Sequence, residues 1–358
     1  MSALVLPALE YPFDSPVSPL ADEVDEECFR WGLEQGIYRL GDPDEYRRIR
    51  VGWLAARTAP RATPAGLRLL ADWQMWLFAF DDGFRDESEH RVLPATTIRR
   101  LVDLMGALEA VGDDHRAGRW TAPERHLPAT GDQGGDTVRG KGRVRGQAAE
   151  ACFRAALEDL AVRLHRCTRG YRRARFISAV RGYFLARCWE AAHRSAAADG
   201  GTPPPLAEYV RLRRYSSAVR TCIALADAAG GIELPAPEYD VPEVAALTDM
   251  AVDVTCWAHD IVSYPHQTAR GRVVHGLPAV LGHWRQLDPQ EALYAAARMH
   301  DEQVRRYLAV EASVRDWASP PLRRHLDGLR YWMSGNLGWS LETGRYPRSD
   351  VLAGQRHG

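Results

Sequence analysis

Lysine is nearly missing from this chain: among its 46 Lys and Arg side chains in 358 residues, Lys141 is the one lysine. Arginine keeps its charge and presents a planar fork suited to phosphate oxygens. The ratio nonetheless follows base composition, as does the abundance of Ala, Gly and Pro, and by itself it points to no partner. Net charge is missing too. With 47 Asp and Glu against those 46 bases the formal charge is −1, so no long-range field gathers nucleic acid or an anionic membrane surface, and any phosphate binding must come from a local cluster. No uncharged apolar run reaches the roughly 18 residues of a membrane span. Residues 1–13 have neither the basic start nor the apolar core of a signal peptide. The six cysteines form no CxxC pair, and reduced, mostly buried thiols in a cytoplasmic protein are expected.

Strand-like alternation is also lacking, and helical spacing takes its place. Leu69, Leu70, Trp73, Trp76, Leu77 and Phe80 recur at i, i+1, i+4, i+7, i+8 and i+11, one apolar stripe of a helix. The same pattern predicts helices over 148–166, 171–195, 206–229, 243–265, 290–315 and 320–342, separated by Pro and Gly clusters. With no βαβ rhythm and no repeat, the fold class is all-α, a single domain over 21–346 between an extended segment, 1–20, and a tail, 347–358. Residues 121–147 are rich in Gly and charge and almost empty of large apolar side chains. Such a stretch buries too little surface to offset its ordering entropy, so a mobile loop insertion is expected there.

Three constellations carry chemistry. Asp81, Asp82, Gly83, Phe84, Arg85, Asp86 and Glu87 follow directly on the apolar stripe. Asp82 and Asp86 share a helix face, with Asp81 roughly 100° to the side. Carboxylates gathered this way suit hard divalent cations, which take oxygen ligands. The second is HDIVSYPHQ, where His259, Ser263 and Gln267 stand at i, i+4 and i+8 in one polar line that Pro265 interrupts near its end. An exposed polar stripe would read the same way. The third is the run from Tyr331 to Tyr346, whose aromatics at helical spacing read as core. Past it, Arg345 and Tyr346 offer a fork and a phenol to phosphate oxygens.

In this order the segments resemble the class I terpene synthase family of bacterial type. Asp81, Asp82 and Asp86 match its aspartate-rich DDxxx(D/E) motif. His259, Ser263 and Gln267 fall in register on its second metal motif, ND(L/I)xSxxxE, and GNLGWSLETGRY resembles its C-terminal signature ending in Arg345 and Tyr346. EYVRLRRYSSAV resembles the segment carrying the diphosphate-sensing arginine, a place that either Arg213 or Arg214 fills. The likeness runs from Trp31 to Tyr346. It implies an α-helical terpenoid-synthase fold around an apolar cavity, with three Mg²⁺ ions gripping the diphosphate of a linear prenyl substrate. Farnesyl diphosphate is the expected substrate, geranylgeranyl diphosphate the next, and a sesquiterpene hydrocarbon or alcohol the product. A homodimer is one assembly open to it. Aromatic faces stabilise carbocations, and Phe80, Phe184, Trp257 and Trp332 are the expected cavity wall, with Trp73 and Trp76 as further candidates.

The second motif departs from the family. Gln267 puts a neutral amide where a carboxylate is usual, and His259 puts an imidazole where an amide oxygen is usual, changes that weaken Mg²⁺ and admit softer ions such as Mn²⁺. Three readings stay open: a working cyclase, a specialised one, and a paralogue that binds prenyl diphosphate without turnover. A chain-elongating prenyltransferase would carry a second Asp-rich motif in place of HxxxSxxxQ. An HD-type phosphohydrolase would need upstream ligands that are missing, and a helical scaffold leaves the acidic cluster without a purpose.

Overall fold

The computed structural model describes residues 4–38, 42–88, 94–116, 138–168, 170–197, 202–269 and 276–345, with backbone alone over 84–88, 111–116, 138–147, 194–197 and at 269. Among the described residues there are fourteen helices and no strand. They are α1 (Ala21–Gln35), α2 (Pro43–Ile49), α3 (Val51–Thr58), α4 (Pro64–Ser88), α5 (Pro94–Arg116), α6 (Val138–Cys167) and α7 (Tyr171–Ala197), followed by α8 (Leu206–Ser216), α9 (Val219–Ala229), α10 (Ala236–Tyr239), α11 (Pro242–Ala269), α12 (Leu277–Arg285), α13 (Pro289–Trp317) and α14 (Pro320–Glu342). None of them is long and apolar enough to cross a membrane.

Local chemistry sets the sharpest boundaries. Asp288 caps α13, accepting from Gln290 N and Glu291 N while Glu291 reaches back to the Asp288 backbone, and Pro289 opens the first turn. Ser319 accepts from Leu322 N at the start of α14, ahead of Pro320. The apolar pattern over 206–229 predicts one helix, but the chain breaks at Ser217 and Ala218, with Ala218 at φ 61°. The break divides α8 from α9 and lets them run at different angles, although the apolar spacing passes through it unmarked. Helix α6 begins at Val138, so the last ten residues of the stretch expected as loop, 138–147, are helical; 117–137 lie outside the described residues.

Helix α4 packs on α1, α3, α6 and α9, while α7 packs on α5, α8 and α9. Helix α11 packs on α8, α13 and α14, and α14 lies also on α3 and α9. These long helices surround one apolar core. Close approaches to backbone demand glycine, among others at Gly66, where a Cβ would lie 2.5 Å from Ala229 O, and at Gly335, where one would lie 2.6 Å from Arg57 O. Charges inside the core are paired. Asp72, fully buried, takes Arg68 and Arg163; Asp227 takes Arg175 and His325; Glu311 takes Arg315 and Arg330. Residues 4–18 form no helix and lie along α13, held by Val5 and Gln290, by Glu10 N donating to Asp301, and by Tyr11 against His300.

Candidate active site

The last two turns of α4 carry Asp81 and Asp82, and each meets an arginine from another helix. Arg187 of α7, itself buried, lies 3.0 Å from Asp81 and 2.7 Å from Glu190. Burial opposes its charge, but Glu190 and Asp81 outweigh that and raise its pKa. Arg345, just past α14, forks onto Asp82 at 2.6 and 3.0 Å and lies over the Phe78 ring at 4.9 Å. Phe78 in turn packs against Trp339 at 5.5 Å, so the C-terminal part of α4 meets that of α14 there.

A third pair joins α8 to α11. Arg213 donates to Asp260 at 2.7 Å and reaches His259 Nδ1 at 3.4 Å; Tyr209 and Leu277 N also donate to Asp260. Burial pushes the Asp260 carboxyl upward, but Arg213 and His259 outweigh it and hold the group below the usual carboxylate range. Glu190, which Arg187 binds, lines the same cleft as Arg213, so the α8–α11 pair and the Arg187 cluster border one space. Between α7 and α8, Trp189, Glu190, His193, Tyr209, Leu212 and Arg213 line a cleft.

The structure separates the two candidate sensing arginines. Arg213 points to His259 and Asp260, whereas Arg214 forks onto Asp253 at 2.7 and 2.8 Å and reaches Asp249 at 2.8 Å. Arg214 thereby lines a different groove, between α8, α11 and α13, together with Trp257, Asp253 and Gln303. Trp257 stands roughly 160° around α11 from His259, so it leaves the expected cavity wall.

Phe80 and Phe184 leave it as well. Phe80 stands roughly 100° around α4 from Asp81 and packs on Trp76 at 4.8 Å, Phe153 at 5.8 Å and Phe184 at 6.3 Å, all within the α4–α6–α7 interface. Trp73 continues that stack, with Trp76 at 5.3 Å. The face of α4 below Asp81 instead holds Leu77, Phe78 and Gln74. Trp332 stays among the candidates, buried on the α14 line that also carries Asn336 and Ser340. Asp86 lies in α4 with its side chain outside the described set, and Tyr346 lies outside the described residues.

Sequence reasoning missed Arg187, Glu190, Gln74 and Phe78 and gave Asp260 no role. A lone arginine after Phe184, Leu185 and Ala186, and an amide between Trp73 and Met75, were the available signals.

Among the described residues no three His, Cys, Asp or Glu side chains gather into a metal cage. The donors still suit a hard cation. Asp81 and Asp82 present carboxylate oxygens, and Gln267 Nε2 donates to Ser263 Oγ at 3.0 Å, which leaves the Gln267 carbonyl oxygen as its acceptor atom.

Residues 72–306 match terpene synthase family 2, C-terminal metal binding. A 4-epi-cubebol synthase from Streptosporangium roseum, described as cyclising (2E,6E)-farnesyl diphosphate, is 31% identical over 344 residues, covering 96% of this chain and 92% of its own. A germacradien-6-ol synthase from Streptomyces pratensis is 28% identical over 351 residues, covering 98% and 88%. The solved germacradien-4-ol synthase from Streptomyces citricolor has the same fold, with a TM-score of 0.73 at 20% identity over 94% of this chain and 99% of that one. The family match spans more than half of the sequence, and its acidic, arginine-paired helix ends lie within one all-α fold: this chain belongs to terpene synthase family 2.

Proposed function

We propose that this chain is a class I sesquiterpene cyclase that ionises farnesyl diphosphate and closes the resulting carbocation into a ring. The observation that carries this reading is the meeting of three acid–arginine pairs, Asp81 with Arg187, Asp82 with Arg345 and Asp260 with Arg213, from five parts of the chain. The substrate follows the relatives named for farnesyl diphosphate.

In this reading Arg213 and Arg345 hold the leaving diphosphate. A guanidinium fork already seated on a carboxylate needs little reorganisation to accept phosphate oxygens. Tyr346 adds a phenol donor beside Arg345. Asp81, Asp82 and Asp86 on one side and His259, Ser263 and Gln267 on the other hold the divalent metal, which we read as three Mg²⁺ ions with Mn²⁺ tolerated through His259. Bound metal supplies Lewis-acid neutralisation of the charge that develops on the leaving group. Beneath it, Leu77, Phe78, Trp332 and Trp339 exclude bulk water, and the three aromatic rings offer their faces to the cation. Asp260 orients Arg213 and Arg187 orients Asp81.

The test is incubation of the purified chain with geranyl, farnesyl and geranylgeranyl diphosphates and Mg²⁺ or Mn²⁺, reading diphosphate release and volatile products. Farnesyl diphosphate is expected to give release and a cyclic fifteen-carbon product. Absence of release from all three substrates with either metal overturns the reading, and turnover of geranylgeranyl diphosphate alone replaces the substrate.

A further inference from the structure

Among the described residues, five buried amide, indole and hydroxyl side chains carry polar atoms with no hydrogen-bond partner: Gln74, Trp257, Trp332, Asn336 and Ser340. Trp257 lies in the separate groove beside Arg214. The other four lie on two helices, α4 and α14. Trp332, Asn336 and Ser340 follow one another at i, i+4 and i+8 on α14, a single line along one face. Gln74 lies on α4 two turns below Asp81 and roughly 20° from it in azimuth, about 10 Å deeper into the bundle. Phe78 meets Trp339, and Gln74 and Asn336 stand four and three residues before them, about one turn deeper on each helix.

Each of the four is at least nine-tenths buried, with Gln74 at 2% exposure, Ser340 and Trp332 at 3% and Asn336 at 8%. Both amide atoms of Gln74, the Asn336 Oδ1 and the Ser340 Oγ all lack partners. An unsatisfied buried polar group costs about 1–3 kcal/mol, so several of them on two helices around one apolar core are a costly arrangement unless a guest satisfies them. The donors are neutral, which does not favour a metal or diphosphate at this depth. They match water, which takes about three hydrogen bonds when buried.

Resting on the cyclase reading above, we propose that Gln74, Asn336 and Ser340 seat the water molecule that ends the reaction, so that the chain releases a cyclic terpene alcohol. The water oxygen gives a lone pair to the cationic carbon and forms the C–O bond. The resulting oxonium passes its extra proton to the diphosphate already released, and no oxidant or reductant is needed. Gln74 and Asn336 hold the oxygen in place, and Ser340 lies on the side nearer the diphosphate, towards which the proton leaves.

The experiment is turnover of farnesyl diphosphate in ¹⁸O-labelled water, with products analysed by mass and expressed per diphosphate released, so that a general loss of activity does not imitate the effect. The wild-type chain is expected to give a cyclic alcohol carrying the label. Gln74→Leu and Ser340→Ala are expected to lower the alcohol-to-hydrocarbon ratio about tenfold, the worth of one lost hydrogen bond. Ser340→Thr, which keeps the hydroxyl, is expected to restore the ratio and stands in if Gln74→Leu does not fold. Release of diphosphate with hydrocarbon alone overturns the water seat and leaves the cyclase reading standing. A labelled alcohol whose share is unchanged in Ser340→Ala and in any folded Gln74→Leu overturns it as well. If no diphosphate is released by the wild type, the cyclase reading fails and the water seat falls with it.

Discussion

The two halves of the site are built from different charges. On α4, Asp81 and Asp82 are anionic and each is countered by a guanidinium from another helix, Arg187 and Arg345. On α11, the acid of the motif, Asp260, is committed to Arg213, and the line facing the site holds an imidazole, a hydroxyl and an amide. In the proposed reading one half brings charge for metal, and the other brings orientation and neutral oxygen. Divergence on α11 would then be tolerable because α4 supplies the electrostatic attraction for a divalent ion, and an amide or hydroxyl oxygen completes a coordination shell without adding repulsion.

The comparison breaks most sharply at Asp81. Asp81→Asn is expected to lower kcat by on the order of 10²-fold or more, the scale of removing a preorganised charge-stabilising group, measured as diphosphate release at saturating metal. Near-normal turnover would move the site off α4. Next come the neighbouring arginines. Arg213→Met is expected to cost on the order of 10²-fold in turnover, whereas Arg214→Met leaves buried Asp253 without its fork and costs about 3 kcal/mol of stability, seen by chemical denaturation. Equal loss of turnover in both would undo their separation. Gln267→Glu is expected to lower the Mg²⁺ concentration for half-maximal activity about tenfold, the size of changes at positions that tune a metal site. An unchanged metal titration would turn Gln267 away from the ions. The smallest effect concerns the aromatics. Phe78→Leu is expected to redistribute products, while Phe80→Leu, in the α4–α6–α7 interface, costs about 1 kcal/mol of stability and leaves the product pattern alone, read by gas chromatography and thermal melting.

Much of this was legible beforehand where one local rule governs. Helix α14 starts and stops where the apolar pattern and Pro320 place it, and α13 does so within two residues, because caps and prolines act on their own neighbours. The acids at 81 and 82 and the fork at 345 were legible because their order along the chain is characteristic, and the structure joins Asp82 to Arg345 directly. The α8–α9 break was not, since Ser217 and Ala218 lie inside an unbroken apolar spacing and an alanine gives no signal of the left-handed turn it adopts at φ 61°. Nor was the fate of Phe80, Phe184 and Trp257. Hydrophobic spacing tells that a side chain is buried but not which of two buried faces it serves.

Arg213 and Arg214 make that division plain. The sequence alone determined an all-helical chain with an acidic motif, an arginine pair and a C-terminal fork in family order, because periodicity, capping and motif spacing are properties of short stretches. Only the tertiary structure decided that Arg213 faces Asp260 while Arg214 faces Asp253, that Arg187 counters Asp81, and that Gln74 and Asn336 are buried without partners. Adjacent helical residues diverge by roughly 100°, so which helix each one meets depends on the packing of the whole bundle.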